Sequence, residues 1–152
     1  MVLQLLIDAF WSAIAASGFA LLFNVPVRTI PVCALCGALG HGFRTFLVSQ
    51  GMPVEAGSLA GATLVGLMGE YLSHKVHTPA SVFTIPGVIP MVPGTYAFRT
   101  MLGVIKLTNV EPDRSAEVLS QTFIYGIRTG LILGGLALGI AVTSLLFKKH
   151  RE

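Results

Sequence analysis

The sequence is short of charge. Of its 152 residues only 11% are Asp, Glu, Lys or Arg, against about 25% in an ordinary soluble domain. Hydrophobic residues make up 53%, and the mean hydropathy is +0.78. A globule in water needs more polar groups than this chain carries, so a soluble enzyme is excluded. Clusters of Lys and Arg interleaved with aromatics on a polar face are also lacking, which excludes nucleic acid as a partner. The net charge of +3 does not alter this, because Lys148, Lys149 and Arg151 sit with His150 in a tail after a long apolar run, as cytoplasmic flanks of membrane helices do.

Cysteine is scarce too. Cys33 and Cys36 form a CxxC inside the apolar run Ile30 to Val48, three apart on one helical face. Zinc wants two further ligands and a disulfide a particular Cα and Cβ geometry, so both are read as small packing residues and no metal site is expected. There is no GxSxG elbow, no Walker loop and no HExxH. An enzyme and a cofactor are therefore not expected, and nucleotide hydrolysis within this chain is excluded. The apolar start, Val2 to Phe23, has no basic residues before it, so it reads as an uncleaved first helix and not as a secretory signal.

What is present is length in apolar runs. A hydrocarbon core about 30 Å thick takes roughly 20 helical residues at about 1.5 Å each. Five segments fit: Val2 to Phe23, Ile30 to Val48, Pro53 to Leu72, Ser81 to Leu107 and Val118 to Phe147. The connections Asn24 to Thr29, with Pro26, and Ser49 to Met52, with Gly51, are too short for an extra domain. The expectation is one transmembrane domain over residues 1–152: an all-α, polytopic helical bundle of about five spans, or four if two segments merge. Arg28, Lys75, Lys148, Lys149 and Arg151 fall on one side of such a bundle and only Lys106 and Arg114 on the other, which predicts N-out and C-in.

The stretch Val82 to Arg99, VFTIPGVIPMVPGTYAFR, carries Pro86, Pro90 and Pro93 inside a span. Each proline lacks an amide donor and clashes with the carbonyl four residues back, so no continuous helix should survive it. Freed backbone groups in hydrocarbon cost several kcal/mol each and must line protein or a watery cavity. A helix restarting after Pro93 and Gly94, near the middle of Ser81 to Leu107, aims the amides of Thr95 and Tyr96 and a positive dipole end at an anion. Arg99, one turn in, adds a guanidinium fork suited to a carboxylate. Pro90, Pro93, Gly94, Thr95, Tyr96 and Arg99 are thus the candidate substrate-binding residues, in the geometry of a transporter's midplane site. The plainer reading is a proline kink that only shapes packing.

Intramembrane ionisable groups are costly and point to pairing or function. Asp8, His41, Arg44, Glu55, Glu70, Arg99 and Arg128 are of this kind. Arg44, Glu55 and Glu70 lie near segment ends, where side chains can reach an interface. Asp8, His41 and Glu70 are the proton-coupling candidates, His41 because its intrinsic pKa is near neutral. Glu117, Gln121, Tyr125 and Arg128 recur at helical spacing, as an outer vestibule or a solvated helix end. The pair Gly57 and Gly61, the stripe Gly126, Gly130, Gly134, and the pair Gly135 and Gly139 mark contact faces, either within the bundle or for a second subunit.

Three stretches, GFALLFNVPVR (Gly18 to Arg28), CALCGALGHGFR (Cys33 to Arg44) and FTIPGVIPMVPGTYAFRTM (Phe83 to Met101), resemble the threonine/serine exporter family, specifically the small membrane subunit of its split, two-protein form. Met91 departs from the leucine more often seen there. The resemblance implies a ten-helix exporter in the bacterial inner membrane, with this chain as one half and a larger membrane subunit, which carries a cytosolic domain, as the other. Split members imply dicarboxylate export of the succinate type, and fused members threonine and serine. The expected function is a subunit of a secondary exporter of small carboxylates, in a lipid bilayer, with a homo-oligomer of the heteromer left open. The alternative is a non-transporting scaffold subunit whose glycine faces stabilise the larger partner.

Overall fold

In lipid a backbone amide or carbonyl finds no partner except another protein group, so apolar runs fold into helices. The computed structural model describes residues 2–109 and 111–149, among which there is no strand. Helix α1 spans Val2–Leu22, α2 Ile30–Ser49, α3 Val54–Val76, α4 Ser81–Val88, α5 Gly94–Leu107 and α6 Pro112–Lys149, with 3-10 turns at Val27–Thr29 and Ile89–Met91. His150 and Arg151 of the expected cytoplasmic tail lie outside the described residues.

The helix ends have local causes. Beyond α1, Asn24 turns left-handed at φ 56° and Pro26 follows; α3 stops where His77 takes φ 54°, two residues before Pro79. Gly51, at φ 91°, makes the tight turn between α2 and α3, a conformation that costs glycine nothing.

Small residues occupy the interior. Ala16, Ala20, Cys33, Cys36, Ala62 and Val65 are fully buried, whereas Phe10, Trp11, Leu22 and Leu145 point outward. That is the pattern of helices held together by close approach with lipid around them. Gly37 lies against Ala16 and Ser12 and Gly42 against Ala9, so α1 and α2 are antiparallel; Gly57 meets Val48 and Gly61 meets Gly40, so α2 and α3 are antiparallel as well. Gly135 faces Leu59, Gly139 faces Ala62 and Thr143 faces Gly66, so α6 runs parallel to α3. The pairs Gly57/Gly61 and Gly135/Gly139 therefore pack the chain's own bundle. Gly130 and Gly134 have nothing near them and face outward.

Helix α4 lies between α2 and α3, with Gly87 against Cys36 and Val65 and Gly69 against Thr84. After the 3-10 turn the chain bends by 57° into α5, which runs antiparallel to the first half of α6, Gly103 meeting Thr122 and Thr100 meeting Gly126. At 38 residues, α6 is about 57 Å long, nearly twice a hydrocarbon core. Its second half packs on α3, and its first half carries α5 beyond the turn between α2 and α3. Among the described residues, α1, Val27–Ser49 and Asp113–Phe147 are long and apolar enough to cross a membrane, and the bent pair α4 and α5 adds a fourth if it is one span. Helix α3 is long enough at 23 residues, but its glycines, two glutamates, His74 and Lys75 keep it less apolar than these.

Candidate anion site at the helix break

Pro86 does not end α4; the helix continues to Val88. The carbonyl that Pro86 deprives of a donor belongs to Val82, and it accepts a hydrogen bond from the Cys33 thiol at 3.3 Å. Both cysteines are free and buried, so Cys33 packs the core as expected and also satisfies this carbonyl. The real interruption comes later. Ile89–Met91 tightens to a 3-10 turn, Val92 is extended at ψ 131°, and α5 restarts at Gly94 after Pro93.

The break opens midway along α2, where Met91 lies against Gly40 and Gly61. Its carbonyl has no amide four residues on to receive, because the extended Val92 and the turn at Pro93 carry Thr95 away from it. Arg44 takes that place, donating from Nη1 to the Met91 oxygen at 2.9 Å. Gly57 and Gly61 make room for the arginine's stem. On the other side of the break, Gly94 donates to Val92 and Ala97 closes the first turn on Pro93, with no side chain capping the helix. Thr95 and Tyr96 have no helical carbonyl behind their amides.

Tyr96, half-buried, lies within electrostatic reach of Arg44. Its ring stands 6.1 Å from that of Tyr125 on α6, at an interplanar angle of 30°. The Arg128 guanidinium lies 5.8 Å from the centre of the Tyr96 ring and Arg99 lies 5.5 Å from that of Tyr125, both within the range of a cation–π contact. Arg99 Nη1 also donates to the Tyr125 hydroxyl at 3.4 Å, and Arg128 Nε is 3.8 Å from Glu55 on α3. Three arginines from three helices thus surround two tyrosines, with one carboxylate among their described contacts. A groove of about 270 Å³ continues from Arg99 along Gly103, Lys106, Gln121 and Tyr125. Such an arrangement can hold a small anion by charge and by guanidinium hydrogen bonds.

Of the residues singled out in the sequence, Pro93, Gly94, Thr95 and Tyr96 form the start of α5, Pro90 lies in the 3-10 turn, and Arg99 is exposed one turn further on. Arg99 keeps company with Tyr125 at the first-half hairpin of α6, further from the midpoint of α2 than the break itself. Asp8 and His41 come near enough across α1 and α2 to interact electrostatically, and His41 Nδ1 stands 3.4 Å from Thr45 Oγ1. Glu70 is not with them; it lies on α3 well along from Glu55, facing α4 and α6. Sequence reasoning placed Arg44 and Glu55 among groups that reach an interface and missed their neighbours. The signal that could have found Arg44 is the Gly57 and Gly61 pair on the adjoining helix.

Small buried residues and outward-facing large apolar ones define a polytopic helical membrane protein, with one helix interrupted beside an arginine cluster. The sequence model described as "Threonine/Serine exporter, ThrE" matches residues 8–146. The chain belongs to the threonine/serine exporter family, a family of membrane transporters. It is also similar to a protein of Haemophilus influenzae described only as uncharacterized, at 35% identity over 150 residues, which are 98% of this chain and 50% of the relative. The chain thus spans about half the length of that curated relative. No solved structure matches it.

Proposed function

We propose that this chain is a membrane subunit of a two-component secondary exporter of small carboxylates, working with a larger membrane subunit. The observation that carries the reading is the excess of arginine over carboxylate where α5 begins. Arg44, Arg99 and Arg128 surround Tyr96 and Tyr125, and Glu55 is the carboxylate paired there. In this account Thr95 and Tyr96 offer amides, Arg99 a guanidinium, and Pro90, Pro93 and Gly94 hold the backbone open. The bent pair α4 and α5 crosses as one broken span, and with α1, α2, α3 and α6 makes five in a single domain over residues 1–152. The balance of basic residues supports N-out and C-in in a bacterial inner membrane.

The outward face of Gly130 and Gly134 leaves a surface for the larger subunit or for a homo-oligomer of the pair. Succinate-type dicarboxylates fit a net positive cluster better than threonine or serine, whose ammonium group would compete with Arg128 for Glu55. The nearness of Asp8 to His41 across α1 and α2 supports a proton relay between them. Counterflow in liposomes holding both subunits, with labelled succinate against labelled threonine, tests the reading: succinate exchange is expected, and exchange of neither solute overturns it. A scaffold reading, in which the outward glycine face of Gly130 and Gly134 only braces the larger partner, predicts exchange by the larger subunit alone.

A further inference from the structure

Away from the arginine cluster, Glu70 faces a cavity of about 70 Å³ between α3, the start of α4 and the end of α6. Along α3, Glu55 and Glu70 are 15 residues apart, so about 22 Å separates this cavity from the anion site. Hydroxyl oxygens complete its polar lining: Ser81 and Thr84 from α4, Thr143 and Ser144 from α6. Gly66 and Gly69 let Thr143 and Thr84 approach α3 closely, and both threonines are almost fully buried.

The donor set has a definite chemistry. Thr143 Oγ1 donates its hydrogen to the carbonyls of Ile140 at 2.8 Å and Gly139 at 3.2 Å, which leaves its oxygen free to act only as an acceptor toward the cavity. The side-chain donors lining the cavity are oxygens, with no imidazole, sulfur, lysine or arginine, and oxygen-only donors suit hard cations. Among the described residues no three His, Cys, Asp or Glu groups converge as a metal site. A single carboxylate balances one positive charge, whereas divalent sites of this kind gather more. The volume holds one ion and one or two waters at about 30 Å³ each.

From these observations we infer that the cavity binds one monovalent metal cation of the size of Na⁺, held by the Glu70 carboxylate and the hydroxyls of Ser81, Thr84, Thr143 and Ser144. The ion site stands on the cavity alone. Its role in transport rests on the exporter reading: α4 begins at this cavity, and its 3-10 extension ends at Met91, whose carbonyl Arg44 holds. An ion drawing Ser81 and Thr84 toward Glu70 acts on the same short rod whose other end forms the break, about 16 Å away over 11 residues.

The test uses the intact chain in lipid nanodiscs and follows its thermal unfolding as NaCl replaces choline chloride at constant ionic strength, with KCl as a third arm. A saturable rise in midpoint with Na⁺, weaker with K⁺ and lost in Glu70→Gln and Thr143→Val, is expected. Thr143→Val keeps the shape of the buried side chain, so it carries the test if Glu70→Gln fails to fold, and direct binding of ²²Na⁺ supplies a readout independent of stability. Equal midpoints in all three salts, a Na⁺ response preserved in both variants, or a response to pH alone would overturn the site; the last would assign Glu70 to a proton or to the start of α4. If ²²Na⁺ binds but a Na⁺ gradient leaves solute flux unchanged when the partner is present, the coupling role fails and the ion site stands.

Discussion

Replacing Arg44 with Met removes the one donor that the Met91 carbonyl has across the break, at 2.9 Å. Methionine keeps most of the aliphatic stem that Gly57 and Gly61 contact, so packing changes little and the loss isolates the hydrogen bond. Met91 is fully buried, and leaving a buried acceptor unsatisfied costs about 1–3 kcal/mol. Removing a half-buried charge relieves its own desolvation and works in the opposite direction. The net loss should settle at roughly 1–2 kcal/mol, or about a 5- to 30-fold fall in the ratio of folded to unfolded protein. Equilibrium unfolding in mixed micelles reads that ratio, and hydrogen exchange at residues 92–97 reads whether the break itself loosens. Arg44→Lys, with a charge but a shorter reach and no fork, should fall between. An Arg44→Met variant as stable as the parent, with unchanged exchange at those amides, would refute the claim that this arginine holds the break.

Other consequences follow from the packing. Gly87→Ala puts a methyl 2.9 Å from Cys36 Cβ and 3.0 Å from Val65 Cγ1, and should destabilise the chain by about 1–3 kcal/mol; Gly130→Ala, with nothing near it, should be neutral in the same unfolding assay. Cys33→Ala leaves the Val82 carbonyl without its donor and should cost about 1 kcal/mol, whereas Cys33→Ser, which keeps a donor, should recover part of that loss. Glu55→Gln breaks a partly exposed pair at 3.8 Å and should change stability by less than about 1 kcal/mol, while strengthening anion retention in counterflow because Arg128 loses its competing carboxylate.

Much of the fold can be read along the chain. Apolar runs, Pro26, Gly51 and Pro53 place α1 to α3 closely, and Pro93 with Gly94 marks the restart of α5. These are local properties, set by propensity and by missing amides. The extent of α6 is easier to miss: Glu111 to Glu117 is polar and reads as a connection, yet it is helical from Pro112, with a proline at the first helical position and Asp113 in the first turn, both favourable at a helix start. Pro86 stays inside its helix, where Cys33, 49 residues earlier, supplies a donor to the Val82 carbonyl. The site shows the same division. Thr95, Tyr96 and Arg99 were legible from the restart, but Arg44, Tyr125, Arg128 and Glu55 join them only through helix packing, which no motif encodes. The outward-facing Gly130 and Gly134 show that a glycine stripe alone does not say what it contacts.

The most direct test of the anion site is counterflow of labelled succinate in liposomes containing both subunits, comparing the parent chain with Arg99→Ala at matched membrane abundance. Exchange should collapse in the variant while unfolding stability barely moves, since Arg99 is exposed and bonded only weakly to Tyr125. Undiminished exchange would contradict the account and take Arg99 out of the path of the solute.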